Sequence, residues 1–172
     1  MKKFDIHQGL DSSLMILENR IKAKAERPKI EIIKEYGNLP LLECYPGQLN
    51  QVFMNILANA LDALEESIEF KKQMNSNLQI KIRTQLVESN KVTIRIADNG
   101  IGIPEDIQGK LFDPFFTTKS VGKGTGIGLS ISYQIITEQH SGSIECISKS
   151  GQGSEFIISI PLHHGCPSSI SN

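Results

Sequence analysis

After Pro46-Gly47 the chain runs for the next two dozen residues without glycine or proline, and Pro-Gly stands where a helix can begin. Placed at 100° each, Leu49, Val52, Phe53, Ile56, Leu57, Ala60, Leu61, Leu64 and Ile68 cover one broad side, while Gln51, Asn55, Asn59, Asp62 and Glu66 line the other. The spacing predicts a helix over about 47–70. So long an apolar side must be covered by another layer.

The flanking segments supply strands for that layer. Ile30 to Tyr36 reads as a strand closed by Gly37-Asn38, and Leu78 to Val87 and Lys91 to Ala97 read as a pair joined by Glu88-Ser89-Asn90. Residues 98 to 126 break the pattern with repeated glycine and two prolines, and a loop of that length marks a binding segment. A second helix is expected from Ile127 to His140, then strands around Ser143 to Ser148 and Ser154 to Pro161. Near the start, Leu10, Leu14, Leu17 and Ile21 recur at helical spacing, with Asp11-Ser12-Ser13 as the cap or opening. This order predicts an α+β fold, a two-layer sandwich whose mixed, mostly antiparallel sheet carries helices on one face. The expected organisation is a lead-in helix over 1–27, one domain over 28–162 and a flexible tail over 163–172.

A chain of 172 residues, 39% hydrophobic and 22% charged, suits one globular domain with its own core. Its formal net charge of −1 argues against nucleic acid as a partner, so any bound anion must be held locally. Cys44, Cys146 and Cys166 lack the paired spacing of a zinc or redox site and read as free thiols. No apolar run approaches a membrane span, and Met1-Lys2-Lys3 leads into Phe4-Asp5 rather than an apolar signal core. A cytoplasmic protein, or the cytoplasmic end of a larger one, without direct membrane contact is expected.

Four constellations carry chemistry. Asn55, Asn59 and Asp62 fall at i, i+4 and i+7 on the polar side of the long helix; carboxamide oxygens suit a magnesium ion that takes its other ligands from water and phosphate, although a solvated helix face would look the same. Asp98-Asn99-Gly100-Ile101-Gly102-Ile103-Pro104 follows a strand, where a carboxylate can accept the exocyclic amine of a purine and glycines admit the base; a plain Asn-Gly turn is the alternative. Gly122-Lys123-Gly124-Thr125-Gly126-Ile127-Gly128-Leu129 runs into the second helix, so its backbone N–H groups can face phosphate, unless it is only a linker. Between them Phe112-Asp113-Pro114-Phe115-Phe116-Thr117-Thr118-Lys119 offers apolar rings that dock the loop or a partner, and Lys119 for phosphate.

Taken in order, NQVFMNILANALDAL (50–64), DNGIGIP (98–104), FDPFFTTK (112–119) and GKGTGIGLSIS (122–132) resemble the N, G1, F and G2 boxes of sensor histidine kinases. The resemblance spans about 28–161 and implies the Bergerat ATP-binding fold shared with DNA gyrase and MutL. It implies that Asn59 is the magnesium ligand and Asn55 its companion near the phosphates, that Asp98 accepts from adenine with Gly100 and Gly102 admitting the base, and that Gly124, Gly126 and Gly128 form the phosphate lid. Ser154 matches a hydroxyl that supports the adenine site, and Asp62, Ile103, Phe112, Phe115, Lys119, Lys123, Thr125 and Leu129 complete the expected nucleotide contacts.

Gyrase and MutL carry a glutamate where this chain has Asn55, which favours phosphoryl transfer over hydrolysis. Two departures from the histidine kinase pattern stand out. Many histidine kinases carry a basic residue where this chain has Asp62, which leaves neutralisation to Lys119 and Lys123. A phospho-acceptor box is also missing, since His7 in Asp5-Ile6-His7-Gln8-Gly9 lacks its setting. The implied activity is transfer of the γ-phosphoryl of Mg·ATP to a histidine on a separate helical-hairpin domain, and through it to a response regulator, with Asn55, Asn59 and Lys119 as catalytic residues. A nucleotide-gated interaction module without catalysis, or a serine kinase of the anti-sigma type on the same fold, remain alternatives.

Overall fold

The structure, a computed structural model, describes residues 1–71, 77–114 and 128–164, with only the backbone at 70 and 71. Along the chain run β1 (Lys2–Phe4), α1 (Ile6–Ile16), α2 (Glu18–Ile21), β2 (Glu31–Tyr36), β3 (Leu42–Cys44), α3 (Pro46–Lys71), β4 (Gln79–Val87), β5 (Lys91–Asp98), α4 (Glu105–Gln108), α5 (Gly128–Gln134), a π-helical turn (Ile135–Gln139), β6 (Ser143–Lys149) and β7 (Gly153–Pro161). The main sheet has the order β2-β4-β5-β7-β6. Its β2–β4 pair is parallel, and the other neighbours are antiparallel. β1 and β3 form a separate antiparallel ribbon.

Alternation decides which face of the sheet is covered. Ile80 and Ile82 of β4, Val92, Ile94 and Ile96 of β5, and Phe156, Ile158 and Ile160 of β7 are buried. They share one core with the apolar side of α3, from Leu49 to Leu64, and with Ile6, Leu10, Leu14, Leu17 and Ile21 of α1 and α2. The opposite face carries charge pairs instead. Arg95 meets Glu155 at 3.0 Å, and Arg83 meets Glu35 at 2.9 Å. Such a sheet has one dry and one wet face, which gives the expected two-layer α+β sandwich.

Several local expectations differ. α1 begins at Ile6, where the Asp5 carboxylate caps it by accepting from the His7 N–H at 3.0 Å. Asp11, expected in that role, points outward to Lys34 at 2.8 Å and Tyr36 at 2.8 Å. The short strands β1 and β3 and the helical turn α4 carry too few residues to show a period, and α4 shortens the loop expected over 98–126. The second helix stays α-helical only to Gln134. Its last turn widens, and the Ile135 carbonyl accepts from the His140 ring at 2.9 Å while the Ile136 carbonyl accepts from the Gly142 N–H at 2.9 Å.

Candidate active site

Helix α3 organises the site because its polar stripe is the one side that the core does not claim. Asn55, Asn59, Asp62 and Glu66 are all half-buried there. Asn55 Nδ2 donates to the Gly128 carbonyl at 3.1 Å and to Ser132 Oγ at 3.2 Å, and Ser132 Oγ donates to the same carbonyl at 2.8 Å. These bonds fix the start of α5 against the first half of the stripe. At the other end the glycine turn after β5 reaches α3, where a Cβ on Gly100 would stand 2.7 Å from the Ala63 carbonyl. From Asn55 to Ala63 is about 12 Å of helix axis, with Asn59 midway.

Asp98 ends β5 and is 8% exposed. It accepts from the Gly100 N–H at 2.9 Å, and the Ser154 N–H also reaches it. Burial outweighs those donors and raises its carboxyl from 3.8 to about 6. The nearby Cys146 thiol is pushed up to about 12, by burial first and then by the Asp98 charge. A carboxylate short of donors at a strand end is an acceptor prepared for one more N–H.

The turn beside it is held rigidly. Gly102 has φ +73, and a side chain there would collide with the Lys149 carbonyl. The Ile103 N–H donates to Ser148 Oγ at 2.7 Å, which lies 2.8 Å from Ser154 Oγ, and Gln108 Nε2 donates to the carbonyls of Ile103 and Ser148 at 3.0 Å each. Ser148 and Gln108 were not legible as site residues. The β6–β7 register, which pairs Ser148 with Ser154, is the signal that could have found the first.

Phe112 anchors the segment after α4, its ring 5.5 Å from Tyr133 and 6.4 Å from Phe156 between centroids. Leu129 packs on the core from α5. Asp62 faces the amino-terminal segment, where Arg20 Nη2 reaches its Oδ1 at 2.6 Å. Phe115, Lys119, Lys123, Gly124, Thr125 and Gly126 lie outside the described residues. Among the described residues no group of three or more His, Cys, Asp or Glu side chains gathers as a metal cluster, so an ion at Asn59 would draw its remaining ligands from water and phosphate.

The histidines have other partners. His7 Nε2 lies 2.7 Å from Thr84 Oγ1 and its ring stacks on Tyr36 at 4.2 Å. His140 is fully buried, accepting from the Tyr45 N–H at 3.1 Å through Nε2 and donating through Nδ1 to Ile135. It is a neutral link between the start of α3 and the π-helical turn, and burial lowers its pKa.

Residues 44–164 match the family model described as histidine kinase-, DNA gyrase B-, and HSP90-like ATPase. Sporulation kinase E of Bacillus subtilis is 38% identical over 125 residues, covering 73% of this chain and 15% of that protein. The catalytic domain of the histidine kinase ThkA superposes with a TM-score of 0.75 at 30% identity, covering 94% of this chain and 97% of that one. ThkA in complex with the response regulator TrrA superposes with a TM-score of 0.71 at 27% identity, over 94% of this chain and 42% of that one. The chain thus spans about a seventh of the length of sporulation kinase E. With its boxes, its two-layer fold and these likenesses together, the chain belongs to the histidine kinase-, DNA gyrase B- and HSP90-like ATPase family, as a catalytic, ATP-binding domain of the histidine kinase type.

Proposed function

We propose that this domain binds Mg·ATP across α3 and transfers the γ-phosphoryl to a histidine on a helical-hairpin domain, from which a response regulator takes it. The observation that carries this reading is the placement of two anchors on one helix: the acceptor turn of Asp98 and Gly100 against Ala63, and the start of α5 against Asn55. Adenine would donate its amine to Asp98, the triphosphate would run along the stripe, and Asn59 lies between the two ends. Asn59 would hold the magnesium ion, which would supply neutralisation of the phosphate charge.

The chain's own residues mainly position the reactants. Asn55 and Ser132 hold the start of α5, while Gln108 and Ser148 hold the base turn. A histidine nitrogen of the partner attacks phosphorus, the bond to the β–γ bridging oxygen breaks, and ADP leaves. Asn55 is a carboxamide and cannot act as general base toward water, which supports transfer over hydrolysis. The residues 115–127, with Lys119 and Lys123, would supply further phosphate contacts.

The reading extends to a cytoplasmic location, since ATP and the regulator are found there; among the described residues no helix is long and apolar enough to cross a membrane. The test adds γ-labelled ATP and a helical-hairpin domain from a related kinase. Acid-labile, base-stable label on the hairpin domain is expected. Acid-stable label would favour the serine kinase, and nucleotide-dependent docking without label would favour the interaction module.

A further inference from the structure

The charge arrangement beside the stripe is incomplete without Arg20. Asp62 lies three residues beyond Asn59, so the two side chains are neighbours on one side of α3, with Cβ atoms roughly 5–6 Å apart. A carboxylate there opposes a polyphosphate. Arg20 of α2 reaches across to it, with Nη2 at 2.6 Å from Asp62 Oδ1 and 3.2 Å from Glu65 Oε2, and Nε at 3.4 Å from Glu65 Oε1. Its side chain is 30% exposed. Among the described residues Nη1 donates to neither acid.

The backbone that carries this side chain is held as well. Arg27, 4% exposed, donates to the carbonyls of Arg20, Lys22 and Pro28, which closes the end of α2 with a buried cation. Arg27 also faces Glu65 at 3.9 Å. Two arginines and two acids therefore fix the backbone of Arg20 and the direction of its side chain. An exposed ion pair needs no such scaffold, and alone would contribute little to stability.

We propose that Arg20 is a phosphate-binding residue of the nucleotide site, positioned by Asp62 and Glu65 so that its remaining guanidinium donors meet the terminal phosphates. This rests on the Mg·ATP reading above. Asp62 on this account acts through Arg20, as a positioning residue. Arginine suits the role because its planar fork can bond a carboxylate along one edge and a phosphate along another.

The test is calorimetric titration of the unaltered chain, Arg20→Gln, Arg20→Lys and the double variant Arg20→Gln/Asp62→Asn with Mg·ATP and with adenosine, after melting curves establish that each is folded. Arg20→Gln should weaken Mg·ATP about tenfold or more and leave adenosine within about twofold, because a charge-assisted bond to phosphate is lost and the base contacts are kept. Arg20→Lys, which keeps the charge without the fork, should fall between. The double variant should stay weak. Unchanged ATP affinity in Arg20→Gln, or recovery of full affinity in the double variant, overturns the proposal, since Arg20 would then only neutralise Asp62. If the unaltered chain binds neither ATP nor adenosine, the nucleotide site itself is refuted and Arg20 with it.

Discussion

Lowering the pH from 8 to 5 should weaken adenosine binding about tenfold, with the loss setting in below about pH 7 and reaching about twofold at pH 6. Asp98 is buried, and its carboxyl lies near 6 in place of 3.8. Because the folded value is above the unfolded one, protonated Asp98 favours the fold at low pH, and that stability is lost as pH rises through about 6. The difference of roughly 2 units makes the ionised group cost the free protein about 3 kcal/mol above that pH. If the adenine amine donates to Asp98 as proposed, it needs the ionised form and gains an acceptor that the empty protein holds at a penalty. At pH 5 a carboxyl of pKa 6 is about nine-tenths protonated, hence the tenfold loss. Adenosine is the ligand to use, because it carries no phosphate that titrates in the same range. Fluorescence or calorimetric titration at half-unit steps reads the curve, with Asp98→Asn as control. Affinity that stays flat from pH 8 to 5, or the same slope in Asp98→Asn, would refute the reasoning.

Asn59→Ala should leave the melting temperature nearly unchanged, since the apolar side of α3 is untouched, yet abolish phosphoryl transfer and the magnesium dependence of ATP binding while sparing adenosine affinity. Near-normal transfer by that variant would return the stripe to a solvated helix face. Ser89 has φ +61 in the β4–β5 turn, so Ser89→Gly should raise stability by about 0.5 kcal/mol in a urea melt, and a decrease would mean that the turn is set by the serine side chain. His140→Leu leaves the Tyr45 N–H without its acceptor and should cost about 1–3 kcal/mol. Since burial lowers the His140 pKa, its contribution is present above pH 6.5 and is lost as pH falls below it, so the gap between the unaltered chain and the variant should narrow in acid.

The sequence shows most clearly those elements whose pattern repeats. α3 announces itself over seven turns, and the alternation in β4, β5 and β7 is long enough to assign the buried face. β1 and β3, three residues each, are defined only by pairing with one another, a contact across some forty residues that no local window contains. The turn after β5 is readable as a candidate site at Asp98 and Gly100, where residue type dictates chemistry. Ser148 and Gln108 are not, because ordinary polar residues acquire their role only when the β6–β7 register and α4 bring them to Ile103. Arg20 is hidden for the same reason. Its partners Asp62 and Glu65 are some forty residues away in sequence and meet it only once α2 docks on α3.

The placement of the nucleotide across α3 is tested most directly by amide chemical shifts of the nitrogen-labelled chain, titrated first with adenosine and then with Mg·ATP. Adenosine should move the amides of Gly100, Ile103 and Ser154, and the triphosphate should add Asn55, Asn59 and Gly128. Shifts confined to the charged sheet face around Arg83 and Arg95, or an adenosine response at Gly128 in place of Gly100, would contradict it.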